Sequence, residues 1–456
     1  MKLIAKRAKA ALVLLILFLT GLILFYFNFG INGNKWAMSS YNRHIYKNGT
    51  LQNSGTIVDR DGVVLAETKD GKRKYNGDTL TRKSLLHVVG DNTSYLSGSI
   101  QTSYASTLAG YNIFNGVHML KEWNSVPTMQ LTVSAAINKK VAYSFGNRKG
   151  AVIAYNYKTG DIIVSLSSPN YDPQNKPSNM DSDRYEGVYV NRTLQGLYPP
   201  GSTFKLITAT AAIENMPDIM SRKFNCTGRY ELPDGGEIVC NSNHGEIDFA
   251  TGLEKSCNVV FAKLAIELGA EKMQKAAEKY GFNSKAYMGN ISVNGGYYNT
   301  KGVKTVDIGW SGIGQNTVLA SPFTMMTVAG SIANSGVKIS PKVIKSVKNA
   351  VGVPVNLNLS LPNNVISSDT AAKIKAMMKK SAVYSFGESF ANKYSLYCKT
   401  GTAEVDDGKP HSWLVGFSDD STKPYAFAII IENGGTAKTA TKSVAEALLE
   451  GINSLK

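Results

Sequence analysis

The chain has 456 residues, of which 43% are hydrophobic and 18% charged, and 50 basic against 34 acidic side chains give a net charge of +16. This composition excludes a disordered or collagen-like chain, and the length suits about two or three domains with a sizeable core. The five histidines are scattered, without an H-E-x-x-H sequence or a cluster of Cys and His. We therefore predict no structural zinc site, no other metal and no cofactor.

The first predicted element is a membrane anchor. Eighteen uncharged residues run from Ala10 to Phe27, about 27 Å as a helix, which spans a bilayer core. The residues before it carry four basic and no acidic side chains: Lys2, Lys6, Arg7 and Lys9. The positive-inside rule then puts residues 1–9 in the cytoplasm, an anchor at 10–30 in the membrane and the rest outside the cell. A cleaved signal peptide is disfavoured, because the apolar run is long and lacks a small-x-small cleavage site.

The extracytoplasmic part is basic and contains four cysteines. Its charge suits either a solvated surface or attraction to anionic wall polymers and lipid head groups, whereas nucleic acid is not predicted because no basic run is interleaved with aromatic residues. In an oxidising compartment the cysteines could pair in three ways, and four free thiols fit the sequence equally. A bond between Cys226 and Cys240 would close the shortest loop. The other two cysteines are Cys257 and Cys398.

The region 31–149 is predicted to form a small β-rich pedestal. Residues 55–66, G-T-I-V-D-R-D-G-V-V-L-A, alternate in polarity around an Asp61-Gly62 turn and predict a hairpin. Residues 131–145 have the apolar spacing of a helix, with Ser134 in its first turn.

The region 150–456 is predicted to be one α/β or α+β domain. Two apolar strands joined by a Lys-Thr-Gly-Asp turn begin it, three more strands come near its end, and helices lie between. We therefore expect an antiparallel sheet built from both ends of the domain. The predicted strands are 151–157, 161–167, 394–403, 412–417 and 425–432, and the predicted helices after residue 202 include 259–280, 305–309, 322–334, 369–380 and 441–454.

The strongest local sign of chemistry is Ser202-Thr203-Phe204-Lys205, which follows a Pro-Pro-Gly break at a predicted helix start. Positions i and i+3 bring a hydroxyl and an amine to one face, so that Ser202 has a base within hydrogen-bond reach. A second S-x-x-K sequence, at 335–338, reads as a helix end and turn and is rejected.

Two further elements follow in order. Ser256-Cys257-Asn258 opens another predicted helix, and Lys399-Thr400-Gly401-Thr402 lies on a predicted strand. A second K-T-G sequence, at 158–160, reads as a plain hairpin turn. Each short sequence is weak alone, whereas the ordered set S-x-x-K, S-x-N and K-T-G is specific.

With these motifs in this order, the chain resembles the class B penicillin-binding proteins, the monofunctional peptidoglycan D,D-transpeptidases of the serine penicillin-binding and β-lactamase superfamily. The resemblance runs over nearly the whole chain and includes the segments 55–66, 87–90, 151–173, 191–205, 244–249, 311–315, 320–325, 332–336 and 411–413. It implies a five-stranded antiparallel sheet flanked by helices. It also implies D-Ala-D-Ala stem peptides and lipid-linked nascent glycan as substrates, covalent inhibition by β-lactams, and a polytopic glycosyltransferase partner.

The chemistry and the resemblance agree on the catalytic roles. Ser202 is expected to attack the D-Ala-D-Ala carbonyl and Lys205 to act as its base. Ser256 is expected to relay a proton to the leaving amine, and Asn258 to hold the substrate amide. Lys399 is the remaining catalytic candidate.

The K-T-G strand is expected to bind the substrate. Lys399 with the hydroxyls of Thr400 and Thr402 suits a carboxylate, and Gly401 lets the substrate add as a β-strand. The backbone N–H groups of Ser202 and Thr402 are expected to form an oxyanion hole. His411 is expected to be structural, while Gln315 and Glu404 are weaker candidates for substrate contact.

Four other functions compete with transpeptidation. A D,D-carboxypeptidase differs only in using water as acceptor, and the motifs do not separate the two. A β-lactamase would need a deacylating base, and a β-lactam sensor would need more membrane spans. A non-catalytic scaffold of a wall-synthesis complex is disfavoured because all three motifs are intact.

Overall fold

A computed structural model describes most of the chain. The described residues are 1–39, 46–47, 50–51, 54–93, 95–112, 116–117, 127–233, 235–300, 302–348, 362–406 and 408–455. Parts of the predicted pedestal, among them 118–126, lie outside these ranges.

The chain begins with one long apolar helix, α1, over Lys2–Ala37. Within the described ranges it alone is long and apolar enough to cross a membrane, with a mean hydropathy of 2.7 in its most apolar window and none of that window buried. The predicted span 10–30 lies inside this helix, which fits a membrane anchor.

The next region forms a mixed sheet with short helices around it. Its elements are β1 (Tyr46–Lys47), β2 (Thr50–Leu51), β3 (Thr56–Val58), β4 (Val64–Lys69), β5 (Lys72–Tyr75), α2 (Thr79–Ser84), α3 (Leu86–Val89), α4 (Ile100–Ser103), α5 (Ala105–Leu108), β6 (Tyr111–Asn112), β7 (Gly116–Val117), β8 (Thr128–Leu131) and α6 (Ala135–Phe145). The predicted hairpin at 55–66 is confirmed, since β3 and β4 pair antiparallel.

Asp59 explains how this hairpin is fixed. Its carboxylate accepts hydrogen bonds from the backbone N–H groups of Asp61 (2.8 Å) and Val63 (2.9 Å) in the turn and of Ala135 (3.0 Å) at the start of α6. The helix begins at residue 135 and not at 131, so that Ser134 is its N-cap and not a residue of its first turn. The reason is that Leu131 is the last residue of β8, which pairs with β3.

The larger region contains the remaining elements. They are β9 (Gly150–Asn156), β10 (Ile162–Ser168), α7 (Lys205–Asn215), β11 (Lys223–Cys226), β12 (Arg229–Glu231), β13 (Glu237–Val239), β14 (Gly245–Asp248), α8 (Phe249–Glu254), α9 (Asn258–Lys279), β15 (Lys285–Met288), β16 (Ile291–Asn294), α10 (Thr305–Gly312), α11 (Pro322–Ala333), β17 (Val337–Ile339), β18 (Ile344–Lys348), β19 (Pro362–Asn364), α12 (Ser368–Phe386), α13 (Glu388–Lys393), β20 (Leu396–Ala403), β21 (His411–Ser418), β22 (Tyr425–Ile431) and α14 (Ala437–Asn453).

The five-stranded antiparallel sheet is confirmed, in the order β10-β9-β22-β21-β20. Both its faces are buried, and successive residues of one strand serve opposite faces. In β22, Ile430 belongs to the core that includes α7, α9 and α11, whereas Ile429 packs with Val444 and Leu448 of α14. This double cover explains why the strands read as continuous apolar runs. The strand order puts β20 at one edge of the sheet.

The two regions share a second sheet. β18, from the later part of the chain, pairs with β8, and the full order is β18-β8-β3-β4-β5. The boundary at residue 150 stays a prediction, because this shared sheet joins the regions that it would separate.

Candidate active site

Ser202 lies in a tight turn directly before α7. Residues Gly201–Phe204 form one 3₁₀ turn, and the α-helix proper starts at Lys205. Two prolines break the chain before the turn, and Gly201 has a φ of +52°, a conformation that side chains disfavour. The Ser202 side chain is half-buried, so that its hydroxyl is partly accessible.

Neighbouring segments hold this turn from two directions. The N–H of Gly201 donates to the carbonyl of Gly314, at 2.9 Å, within the 311–315 segment. The Nε1 of the buried Trp413 donates to the carbonyl of Pro199, also at 2.9 Å. A Cβ on Gly201 would lie 2.8 Å from the carbonyl oxygen of Thr402. The turn that carries Ser202 is thus held between a loop and the edge strand β20.

The amine of Lys205 is fully buried and contacts the S-x-N sequence. It donates to the carbonyl of Ser256 (2.7 Å), to the hydroxyl of Ser256 (3.3 Å) and to Oδ1 of Asn258 (2.8 Å). The predicted hydrogen bond between Ser202 and Lys205 is not formed among the described residues, because the amine is turned towards these three acceptors. Apo sites often tighten such contacts only when substrate binds.

Lys399 approaches the same hydroxyl from the sheet. Its amine donates to Oγ of Ser256 and to the carbonyl of Thr400, each at 3.0 Å. The Ser256 hydroxyl therefore lies between two buried amines, one from the first motif and one from the third. The three sequences that were 54 and 143 residues apart are brought together at one oxygen atom.

Burial shapes the proton chemistry of both amines. It lowers the pKa of Lys205 well below the usual value, and the charge of Lys399 lowers that pKa further. Burial also lowers the pKa of Lys399 to about 8. A low-dielectric pocket with two adjacent amines disfavours two positive charges, so one amine is available as a base while the other stays charged.

Asn258 is positioned by the start of α9. Cys257 is the residue before the helix, and Ser256 has a φ of +60°. The side-chain amide of Asn258 donates from Nδ2 to the carbonyl of Val239 (2.9 Å) and accepts from Lys205 through Oδ1 (2.8 Å). Its half-buried side chain is thereby oriented beside the hydroxyl of Ser256 and the amine of Lys205.

The K-T-G strand packs closely against the turn that carries Ser202. A Cβ on Gly401 would lie 2.9 Å from Cγ2 of Thr203 and 3.0 Å from the carbonyl oxygen of Pro200. Glycine is thus required here by the protein's own turn, whereas the sequence suggested that the substrate requires it. The Thr402 side chain is exposed, and Thr400 is half-buried.

The secondary candidates have different surroundings. His411 accepts a hydrogen bond from the N–H of Asn433 (3.1 Å), which fits a structural role, and burial lowers the pKa of its imidazole. Gln315 ends the loop that holds Gly201, and Glu404 is exposed beyond the strand.

Sequence reasoning missed one buried charge pair beside the site. Arg192 donates to Glu432 at 2.7 Å, and the hydroxyl of Tyr198 donates to the same carboxylate oxygen, also at 2.7 Å. The pair ties the chain before Ser202 to the end of β22. In the sequence, the pair is marked only by a charged residue near each of the two segments, Arg192 before the turn of Ser202 and Glu432 directly after β22.

The prediction that Cys and His do not cluster is wrong. The ligand atoms of Cys226, Cys240, His244 and Cys257 all lie within 4.8 Å of one another. These residues lie apart in the sequence, but the pairs β11–β14 and β12–β13 bring them together at the start of α9. All four cysteines of the chain are free thiols, so the Cys226–Cys240 bond is not formed.

Comparison with known proteins finds a matching family and several relatives of this chain. Residues 150–453 match the transpeptidase family described as the penicillin binding protein transpeptidase domain. The chain is 27% identical over 341 residues to the peptidoglycan D,D-transpeptidase PbpA of Mycobacterium tuberculosis, covering 67% of this chain and 68% of that protein. It is 24% identical over 371 residues to the peptidoglycan D,D-transpeptidase MrdA of Acinetobacter baumannii, covering 69% and 53%.

Solved structures give the same fold. The crystal structure of PBPA from Mycobacterium tuberculosis has a TM-score of 0.77 and 22% identity, covering 88% of this chain and 100% of that one. A penicillin G acyl-enzyme complex of penicillin-binding protein A from that organism has the same TM-score, identity and coverage.

Proposed function

Because the chain belongs to the penicillin-binding protein transpeptidase family, we propose that it is a peptidoglycan D,D-transpeptidase that crosslinks stem peptides through an acyl-serine intermediate. The observation that carries the proposal is the Ser256 hydroxyl, which accepts hydrogen bonds from both Lys205 and Lys399 beside the turn of Ser202. Relatives named as peptidoglycan D,D-transpeptidases support the same reaction.

In the acylation step, Ser202 Oγ attacks the carbonyl carbon of the penultimate D-Ala. In its neutral form the Lys205 amine donates only two hydrogen bonds, and its lone pair takes the serine proton. The new C–O ester bond replaces the C–N bond of the D-Ala-D-Ala amide. Ser256 passes its proton to the leaving nitrogen and is reprotonated by Lys205, 3.3 Å away, so that the terminal D-Ala departs as a free amine. A positioned acid or base of this kind contributes about 100- to 10,000-fold in rate.

The K-T-G strand binds the terminal carboxylate of the substrate and stabilises the oxyanion. Charged Lys399, with the hydroxyls of Thr400 and Thr402, holds the terminal carboxylate. The N–H groups of Ser202 and Thr402 stabilise the oxyanion, a contribution of about 100- to 1000-fold per donor. The turn of Ser202 packs closely against the strand of Thr402, since a Cβ on Gly201 would lie 2.8 Å from the carbonyl oxygen of Thr402, and this close packing supports the assignment.

In the second step, an amine of another stem peptide attacks the ester carbon. The attacking amine gives up one proton through Ser256 to Lys205, the ester C–O bond breaks, Ser202 regains a proton from Lys205, and a new amide joins the two stems. A β-lactam enters by the same acylation, and its ring-opened product stays on Ser202, which supports inhibition by penicillin. The penicillin G acyl-enzyme of penicillin-binding protein A is consistent with this.

The cellular setting completes the proposal. Helix α1 anchors the chain, with residues 1–9 in the cytoplasm and the catalytic region outside the cell. We also propose a polytopic glycosyltransferase as partner, which supplies lipid-linked nascent glycan, and a catalytic domain over 150–456.

The test uses the full chain in detergent with a donor peptide that ends in D-Ala-D-Ala and an excess of an acceptor amine, analysed by mass spectrometry. We expect the transfer product from the wild type and from Ser335→Ala, which alters the exposed serine of the other S-x-x-K sequence, but not from Ser202→Ala. Hydrolysis without transfer would instead support a carboxypeptidase. The absence of both products from folded wild type would support a scaffold.

A further inference from the structure

We infer that Tyr198 is a positioning residue for acylation, which fixes the turn of Ser202 against the K-T-G strand. Tyr198 stands four residues before Ser202. Its hydroxyl donates to Oε1 of Glu432 at 2.7 Å, and the same oxygen accepts a hydrogen bond from Nε of Arg192, also at 2.7 Å. One carboxylate oxygen thus links the chain before Ser202 to the end of β22. The inference rests on the proposed acyl-transfer function.

Both charged partners of this link are fixed by contacts of their own. The N–H of Glu432 donates to the carbonyl of Lys149 at 2.9 Å. The N–H of Arg192 donates to Oγ of Ser167, on β10, at 3.0 Å. The two charged side chains are only 10% and 17% exposed. The carboxylate oxygen therefore has a fixed place relative to the sheet, and the hydroxyl of Tyr198 is bound to that place.

The ring of Tyr198 rests on strand β21. It lies edge-on to the ring of Trp413, with centroids 6.2 Å apart, and to the ring of His411, with centroids 5.7 Å apart. Both contacts have the T-shaped geometry that aromatic pairs prefer. In the ladder of the sheet, Trp413 pairs with Gly401 and His411 pairs with Ala403. The ring therefore lies over the residues of β21 that hold the K-T-G strand.

The same face of the sheet contacts the turn. A Cβ on Gly201 would lie 3.1 Å from Cβ of Ala403, and a Cβ on Gly401 would lie 2.9 Å from Cγ2 of Thr203. Residues two apart on a strand point to one face, so Gly401 and Ala403 both face the turn. The ring of Tyr198 lies on this face too, one strand further into the sheet.

The distance between the turn and the strand decides the alignment of the reacting groups. The N–H groups of Ser202 and Thr402 lie on these two segments, and an oxyanion hole needs both donors at about 2.7–3.1 Å from one oxygen atom. A displacement of one segment by about 1 Å takes its donor out of this range and costs on the order of 100-fold in rate. A link that fixes the chain before Ser202 therefore acts on the rate of acylation.

The hydroxyl of Tyr198 can be removed without loss of the local fold. The backbone N–H and carbonyl of Tyr198 pair with the carbonyl and N–H of Ala320, at 3.0 and 2.8 Å, and the residue is buried. Removal of the hydroxyl keeps these bonds and the packing of the ring, and breaks only the link to Glu432. A hydrogen bond to a carboxylate is roughly twice as strong as one between neutral groups, so this link holds the ring in one position on β21.

The first experiment separates binding from acylation. Rates of acylation of the full chain in detergent are measured over a range of concentrations of a fluorescent penicillin, which gives the limiting rate and the dissociation constant of the complex before acylation. We expect Tyr198→Phe to lower the limiting rate about tenfold and to change the dissociation constant by less than about twofold, because alignment is lost and substrate contacts are kept. A wild-type limiting rate, or a loss confined to the dissociation constant, would overturn the positioning role.

Tyr171→Phe is the matched control. The hydroxyl of Tyr171 donates to the carboxylate of Asp91, which also faces the amine of Lys176 at 3.9 Å, so the same kind of bond is lost. Tyr171 follows β10, which lies at the opposite edge of the sheet from β20. This variant should acylate at the wild-type rate. Equal slowing in Tyr171→Phe and Tyr198→Phe would overturn a special role for Tyr198.

Glu432→Gln tests the same bond from its other side. The amide still offers an oxygen to Tyr198, but this acceptor is neutral, so the limiting rate should fall about threefold. The double variant Tyr198→Phe/Glu432→Gln should be about tenfold slower than the wild type and not about thirtyfold, because both changes act on one hydrogen bond. Slowing that multiplies would assign the two residues separate structural effects and overturn the inference.

Thermal unfolding shows which variants are folded. Glu432→Gln exchanges a single oxygen for nitrogen, so it decides the matter where Tyr198→Phe does not fold: a wild-type limiting rate in the folded Glu432→Gln variant would overturn the inference. A folded wild type that penicillin never acylates would refute the proposed function, and the positioning role with it. An acylating wild type beside an equally fast Tyr198→Phe would refute the positioning role alone.

Discussion

Replacing Gly314 with alanine tests whether the turn that carries Ser202 must keep its position. Gly314 has a φ of +77°, and a Cβ there would lie 2.2 Å from the carbonyl oxygen of Gly201, 2.8 Å from its nitrogen and 2.8 Å from Cβ of Phe204. The two nearest atoms belong to the backbone, so no side-chain rotation relieves the clash. The nucleophile turn itself must move.

The magnitude follows from two contributions. A left-handed conformation costs alanine roughly 1–2 kcal/mol, and overpacking typically costs about 1–3 kcal/mol. We therefore expect the free energy of unfolding to fall by about 2–5 kcal/mol. A displacement of the turn by about 1 Å should slow acylation on the order of 100-fold.

The assay combines thermal unfolding of the full chain in detergent with the rate of acylation by a fluorescent penicillin. Gly71→Ala is the matched control, because Gly71 has a φ of +68° in an exposed hairpin with nothing within 4 Å of the added Cβ. In Gly71→Ala the free energy of unfolding should fall by the conformational contribution alone, and acylation should proceed at the wild-type rate. Gly314→Ala acylating at the wild-type rate would refute the reasoning.

Three further predictions concern the amines and the link to the pedestal. Lys205→Met should slow acylation about 100- to 10,000-fold, whereas Lys338→Met, in the other S-x-x-K sequence, should acylate normally; equal rates for both would contradict a base at Lys205. Because burial lowers the pKa of Lys399 to about 8, its amine loses the charge that binds a carboxylate as the pH rises through that value. Acylation by the wild type should therefore decline above about pH 8, and the same decline in Lys399→Met would assign it to another group. Arg82 and Asp172 form a buried ion pair, with oxygen–nitrogen distances of 2.7 and 2.6 Å. Asp172→Asn should lower the free energy of unfolding by about 3–5 kcal/mol without slowing acylation by the folded protein, and an unchanged unfolding midpoint would count against that value.

Local patterns predicted the elements well where one physical signal dominated. The apolar run of α1, the hairpin at 150–168 and the strands of β20 to β22 follow from hydrophobicity and turn residues close together in sequence. The break before Ser202 follows from two prolines and a glycine. The rejected S-x-x-K sequence has the predicted helix end and turn, with φ values of +55° at Ser335 and +89° at Gly336.

Features that depend on contacts between residues far apart in the chain could not be predicted from the sequence. β18 pairs with β8, which lies more than 200 residues earlier in the chain, and no local pattern predicts this pairing. The helical spacing at Ser202 and Lys205 predicted their common face, but the amine is turned to Ser256 and Asn258 by acceptors more than 50 residues away. Likewise, Cys226 and Cys257 meet only because the hairpins between them fold back onto α9.

The most direct test of the central claim is to locate the acyl group. The full chain in detergent is incubated with benzylpenicillin, denatured, digested and mapped by mass spectrometry, with Ser202→Ala treated in parallel. The account predicts one penicilloyl group on Ser202 of the wild type and none on the variant. An adduct on Ser256, or no adduct on a folded wild-type chain, would contradict it.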